Sequence, residues 1–206
     1  MIEIIHLKKS FGEKVLFEDL NLTINTGEFV VFSGVSGCGK TTLLNMIGSL
    51  ESFDSGKIIV DGLDISKRKN QQKYLSNKVG FLFQNFALIE EKTVEENLTI
   101  IKKNNRSEME IDTALNKVGL LDVKNKKVYT LSGGEQQRVA IARLMIKKCD
   151  LILCDEPTGS LDCTNGERIM SILQELNKSG KTVILVTHDE RYKKIGGRII
   201  ELQEDK

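Results

Sequence analysis

One string restricts what this chain can fold into more than any other: Gly34-Val35-Ser36-Gly37-Cys38-Gly39-Lys40-Thr41. It lies between the apolar run Glu28–Ser33 and the helically spaced Thr41–Leu50. The string fits G-x-x-x-x-G-K-[ST], in which glycines let the backbone wrap closely enough for its N–H groups to face phosphate oxygens. The dipole of the helix that follows adds to that field. In this pattern Lys40 reaches the β- and γ-phosphates and Thr41 ligates Mg²⁺, while Ser36, Gly37, Cys38, Gly39 and Thr42 belong to the nucleotide-contacting stretch. Average composition makes a chance match somewhere in such a chain an event of about 1%, so the motif outweighs an ordinary glycine turn. Cys38 fills a variable position and reads as a small filler, not a redox switch.

A strand feeding a phosphate loop and a helix calls for an α/β framework, and the rest of the chain supplies one. Met1–Leu7, Leu20–Asn25, Glu28–Ser33, Ile58–Asp61, Lys78–Phe83, Leu151–Asp155, Thr182–Thr187 and Arg198–Gln203 read as strands. Thr41–Leu50, Thr93–Lys102, Ser107–Val118, Gly134–Lys147 and Thr164–Asn177 carry helical spacing of apolar residues. Alternation of this kind predicts a parallel sheet covered by helices. The stretch from about Phe86 to Lys148 interrupts it and reads as an inserted helical subdomain, with the first strands forming a separate antiparallel layer. At 206 residues the expectation is one domain spanning 1–206.

Leu151-Ile152-Leu153-Cys154-Asp155-Glu156 is an apolar strand that ends in two acids. Ligands of open α/β sheets bind at that edge. Asp155 suits Mg²⁺ or its water, and Glu156 suits orienting and deprotonating an attacking water.

Composition removes several alternatives. Hydrophobic residues at 40% and charged residues at 29% are ordinary for a globular chain. With 30 Lys+Arg against 29 Asp+Glu the formal charge is +1, which gives no electrostatic footprint for nucleic acid. Lys67-Arg68-Lys69 and Lys102-Lys103 read as solvated faces. The cysteines Cys38, Cys149, Cys154 and Cys163 have neither metal-ligand spacing nor disulfide-scaffold density, and MIEIIHLKKS carries no secretory signal, so a reducing cytosol is expected. No apolar run approaches the roughly 20 residues of a membrane span.

Leu131-Ser132-Gly133-Gly134-Glu135-Gln136-Gln137-Arg138 resembles the signature motif of the ABC ATPase family. A Ser-Gly-Gly entrance to a helix offers free N–H groups and a hydroxyl to a second phosphate, besides capping the helix. The resemblance implies a P-loop NTPase with a RecA-like parallel-sheet core, ATP and Mg²⁺ as ligands, and an ATP-dependent head-to-tail homodimer. It also places Phe11 against adenine, Gln84 as the lid glutamine near the metal, Ser160-Leu161-Asp162 at the dimer interface with Asp162 toward nucleotide, and His188 at the γ-phosphate. Ser132 and Gly134 would then complete the partner's ATP site. Glu135 replaces the commoner glutamine, Pro157 is the only proline, and His6 matches nothing in the pattern.

Glu156-Pro157-Thr158-Gly159-Ser160-Leu161-Asp162 and Phe83-Gln84-Asn85-Phe86-Ala87-Leu88-Ile89 resemble the branch of lipoprotein-release, macrolide-export and antimicrobial-peptide transporters, and most of all lactococcin-type bacteriocin export ATPases. That likeness implies a separate transmembrane permease, with the chain cytoplasmic and peripheral on the inner face of the membrane, and a contact near Phe86, Leu88 and Ile89, which read equally as a partner-binding patch or as internal packing of the helical subdomain. Signalling through a membrane partner is the alternative within the branch. A soluble ABC ATPase is the other, against which stand the lack of a coiled-coil insertion, zinc-ligand cysteine pairs, a second ATPase half and a basic surplus.

Overall fold

The computed structural model describes residues 1–159 and 161–203. Three apolar runs form its centre: β3 (Phe29–Ser33), β7 (Leu151–Asp155) and β8 (Thr182–Val186), each buried over at least four consecutive residues. Strands without a polar face belong to a parallel sheet covered on both sides. With β6 (Val79–Leu82) and β9 (Arg198–Glu201) they make a five-stranded parallel sheet in the order β6-β7-β8-β3-β9.

Alternate residues of these strands serve two cores, as the period of two requires. Val30, Phe32, Leu151, Leu153, Ile184 and Val186 pack with Leu43, Leu44, Met46 and Ile47 of α1 (Lys40–Ile47). The same core takes Ile2, Ile4, Ile58 and Val60 from a four-stranded antiparallel sheet. That sheet has the order β2-β1-β4-β5, from β1 (Ile2–Phe11), β2 (Lys14–Ile24), β4 (Ser55–Val60) and β5 (Leu63–Asp64). On the opposite face, Val31, Ile152, Cys154, Val183 and Leu185 pack against helices. These are α5 (Gly133–Ile146), through Val139, Ala140 and Ile141, and α6 (Cys163–Lys178), through Ile169, Met170 and Leu173. Between β6 and β7 the chain carries α3 (Val94–Thr99), α4 (Ile111–Lys117) and α5 in the stretch read as a helical insertion.

Several elements differ from the sequence reading, three of them instructively. The second strand begins at Lys14, not Leu20, because a turn at Gly12 and Glu13 folds it into a hairpin with β1. The stretch Ser107–Val118 is α-helical only over Ile111–Lys117. Arg68–Asn77 is a helix, α2, that periodicity did not reveal: Tyr74 is its single buried residue, donating its hydroxyl to the Ile47 carbonyl at 2.7 Å. A helix held by one aromatic residue leaves no apolar stripe to read.

Candidate functional site

The loop between β3 and α1 sits at the carboxyl end of the parallel strands. Gly39 is the residue before α1 and has φ +95°; a Cβ there would lie 2.8 Å from the Phe17 ring. Only glycine gives both that backbone and that clearance. Lys40, 6% exposed, donates from Nζ to the carbonyls of Gly34 (2.9 Å) and Val35 (2.7 Å), which holds the ammonium within the curl of the loop. Cys38 is fully buried, with Sγ 3.7 Å from Lys40 Nζ, in keeping with a filler.

Ser36, Gly37, Gly39, Lys40, Thr41 and Thr42 line a cleft of about 360 Å³ that also includes Phe11 and His188. The sequence thus placed two residues there that lie far from the loop along the chain. Lys14 lines the same cleft and donates to the Gly37 carbonyl at 3.3 Å. It was not singled out from sequence, where a lysine between two expected strands looks like any solvated charge.

Asp155, the last residue of β7, and Glu156 after it join this site. Thr41 donates its hydroxyl to Asp155 Oδ1 at 3.0 Å. Burial pushes the Asp155 carboxyl up from its ordinary range, and the Thr41 hydroxyl, His188 and Lys40 act against that rise. A hydroxyl and a carboxylate side by side are hard oxygen donors of the kind Mg²⁺ takes when phosphates and water complete its shell. Among the described residues no group of three or more His, Cys, Asp or Glu could cage a metal unaided. The donor set therefore fits an ion that arrives with a nucleotide.

Glu156 has φ +45°, a conformation that costs a non-glycine residue roughly 1–3 kcal/mol. Its N–H donates to the Val186 carbonyl at 2.9 Å, which ties the turn to β8. One carboxylate oxygen, Oε1, is buried without a hydrogen-bond partner; His188 Nε2 lies 3.4 Å from it, in ion-pair range but without hydrogen-bond geometry. A buried acceptor without a protein partner is rare in folded chains.

Gln84 follows β6 and shares a neighbouring cleft with Asp155, Asn45 and Asn85, so it meets the acidic strand and not the phosphate loop directly. The turn after it is unusual. Phe86 and Ala87 have φ of +61° and +49°, and Arg143 of α5 donates to both their carbonyls, that of Phe86 at 2.9 Å. Phe86 and Leu88 pack against the helical core, leaving Ile89 exposed. Phe86 and Leu88 are only partly buried, so the three residues divide between internal packing and surface. A nearby groove is lined by Phe81, Phe83, Ala87, Ile100, Ile101 and Leu144, together with Arg143 and Lys147.

Ser132 and Gly134 do not line the cleft of the phosphate loop. Ser132 caps α5, accepting from the Glu135 N–H at 3.3 Å, while its own N–H and hydroxyl donate to Glu135 Oε2 at 2.8 and 2.9 Å. These bonds hold the Glu135 carboxyl below its usual range. Asp162 caps α6 by accepting from the Asn165 N–H at 2.8 Å. Asn165 in turn accepts from Arg138 of α5 at 2.8 Å, so the two helix entrances lie side by side. Ser160 of the same stretch lies outside the described residues. Buried Gln137 donates to the Pro157 carbonyl at 2.8 Å and ties α5 to the turn after Glu156, a link with no local signal in the sequence.

Comparison with known proteins finds relatives over nearly the whole chain. The model of the ABC transporter family matches residues 17–159, more than half of the chain. The macrolide export ATP-binding/permease protein MacB of Campylobacter jejuni is 38% identical over 99% of this chain, which spans 33% of that protein's length. An ABC transporter ATP-binding protein of Bacillus subtilis, YvrO, with no characterised role, is 37% identical over 99% of this chain and 94% of its own. Two dimeric structures of the ABC transporter cassette MJ0796 superpose with a TM-score of 0.87, at 36% and 38% identity, over 99% of this chain and 95% of theirs; one is a post-hydrolysis state bound to ADP and Pi. Among the described residues no helix is long and apolar enough to cross a membrane. The chain has the ABC ATPase fold and belongs to the ABC transporter family, as an ATP-hydrolysing member of it.

Proposed function

We propose that this chain is the ATP-binding and ATP-hydrolysing subunit that drives a separate membrane permease, and that the permease exports a peptide, a bacteriocin or another amphiphilic compound. The observation that carries the ATPase half is the convergence of Lys40, Thr41, Asp155, Glu156 and His188 at one end of the sheet. Lys40 and the loop hold the terminal phosphates, and Phe11 receives the base. Thr41 and Asp155, with Gln84 in the cleft next to Asp155, would hold Mg²⁺, which would neutralise phosphate charge. Glu156 accepts the proton of the attacking water through its bare Oε1, and His188 faces the γ-phosphate.

Ser132 and Gly134 stand apart from this cleft. We assign them, with Asp162, to the nucleotide of a second copy in a head-to-tail, ATP-dependent homodimer. Dimeric cassettes among the structural neighbours support that reading. MacB relatives named as ATP-binding/permease proteins support a permease partner, and through it a place on the inner face of the membrane. We place the permease's contact at the groove of Phe81, Phe83 and Ile100, beside the turn that Arg143 fixes.

Affinity purification of the tagged chain from detergent-solubilised membranes tests this reading. A multi-span protein should co-purify. Ile100→Asp, at a half-exposed position where folding is not at stake, should reduce its recovery severalfold while ATP binding stays intact. Recovery of ribosomes or DNA in place of a membrane protein would contradict the proposal.

A further inference from the structure

Phe11 is 50% exposed and forms one wall of the phosphate-loop cleft. What holds its ring there begins five residues earlier. Strand β1 turns Ile2 and Ile4 inward, then takes up one extra residue: Ile4 pairs with Leu22 but Leu7 with Leu20, and Ile5 pairs with Lys57 but Lys8 with Ser55. His6, with φ +48°, lies in this bulge and is tied to Asp19 at 2.7 Å. Opposite, Gly56 has φ +96°, and a Cβ there would collide with the His6 carbonyl. A one-residue bulge moves the inward set from even to odd positions. Leu7 and Lys9 therefore point inward, and Phe11 is the next residue on the same face.

The shift places a lysine where an apolar residue would be expected. Lys9 is 5% exposed, and two groups receive its ammonium: Glu51 Oε1 at 2.8 Å and the face of the Phe11 ring, whose centroid is 4.2 Å from Nζ. Glu51 lies just past the end of α1, the helix that begins with Lys40. A buried lysine with one carboxylate is held in place, because leaving would strand the charge. An ammonium over an aromatic face attracts the ring and fixes its plane.

We propose that Lys9 is a positioning residue for nucleotide binding: pinned by Glu51, it covers one face of Phe11 and presents the other to the base of ATP. The proposal rests on the reading of Phe11 as the ring that receives the base. Its consequence is specific, because Lys9 acts on the base and not on the phosphates. An architectural role, in which the Lys9–Glu51 pair only ties β1 to α1, would disturb the whole site.

The test is titration of the full chain with ATP and with inorganic tripolyphosphate in magnesium-free buffer, for the wild type, Lys9→Met, Phe11→Ala and the double variant. Lys9→Met should weaken ATP binding roughly two- to fivefold and leave tripolyphosphate binding unchanged. In the Phe11→Ala background it should have no further effect on ATP. If Lys9→Met proves unstable, Lys9→Met with Glu51→Gln removes both charges and takes its place. Equal loss of ATP and tripolyphosphate would overturn the proposal, as would an undiminished effect of Lys9→Met without Phe11, or no effect on ATP where Phe11→Ala has one. No effect of Phe11→Ala on ATP would bring down the stacking reading itself, and the proposal with it.

Discussion

Glu156→Gln is expected to lower steady-state ATP hydrolysis by roughly 10²–10⁴-fold, the range for loss of a general base, with ATP binding retained. The carboxylate sits on a strained turn with φ +45°, its Oε1 bare and buried 3.4 Å from His188 Nε2. Glutamine keeps the shape of the side chain and its place on the turn but cannot take a proton from water. Phosphate release measured under saturating ATP, beside a binding titration, separates the two effects. Hydrolysis within a few fold of wild type would remove Glu156 from the role of base and leave the turn as a structural feature.

Lys40→Ala should cost more in binding. The lysine stem is almost fully buried and its ammonium is fixed by two loop carbonyls, so no rearrangement is needed to bring the charge to terminal phosphates. A charge preorganised in a low-dielectric loop is worth about 3–4 kcal/mol to an anion, which corresponds to a loss of roughly 10²–10³-fold. The same deletion frees the Gly34 and Val35 carbonyls, so the loop is expected to relax while the sheet beneath it stays folded. Circular dichroism and thermal unfolding check the second point, and nucleotide titration the first. A folded variant with undiminished ATPase activity would remove the assignment of the phosphate site.

Much of this was legible in the sequence because the relevant signals are local. The loop Gly34–Thr41, the strand ending in Asp155 and Glu156, and the capped helix after Ser132 each declare themselves within eight residues. The alternation of strands and helices is enough to give a parallel sheet, and the sheet brings the first two together at its carboxyl end. What stayed hidden depends on tertiary geometry. The bulge at His6, which turns Lys9 inward, shows only in the pairing of three strands. The clasp of Arg143 on the turn after Gln84 spans more than 50 residues, and neither Phe86 nor Ala87 belongs to a residue type that advertises a positive φ. The sequence leaves Phe86 and Leu88 divided between a partner surface and the helical core, because an apolar residue in a loop carries no mark of the core that will cover it; both pack partly against that core.

In the proposed head-to-tail homodimer the ATP site is shared between two copies of the chain, Lys40 of one facing Ser132 of the other. Size-exclusion chromatography with light scattering on Glu156→Gln tests it most directly, because hydrolysis is then too slow to reopen a closed dimer. Without nucleotide the variant should run as a monomer of the 23.1 kDa chain, and with ATP it should shift to twice that mass. Adding Ser132→Arg puts bulk and charge at the entrance of α5, a surface that does not line the chain's own phosphate cleft. The double variant should still bind ATP and should remain monomeric. An ATP-dependent dimer that persists in the double variant would contradict the shared site.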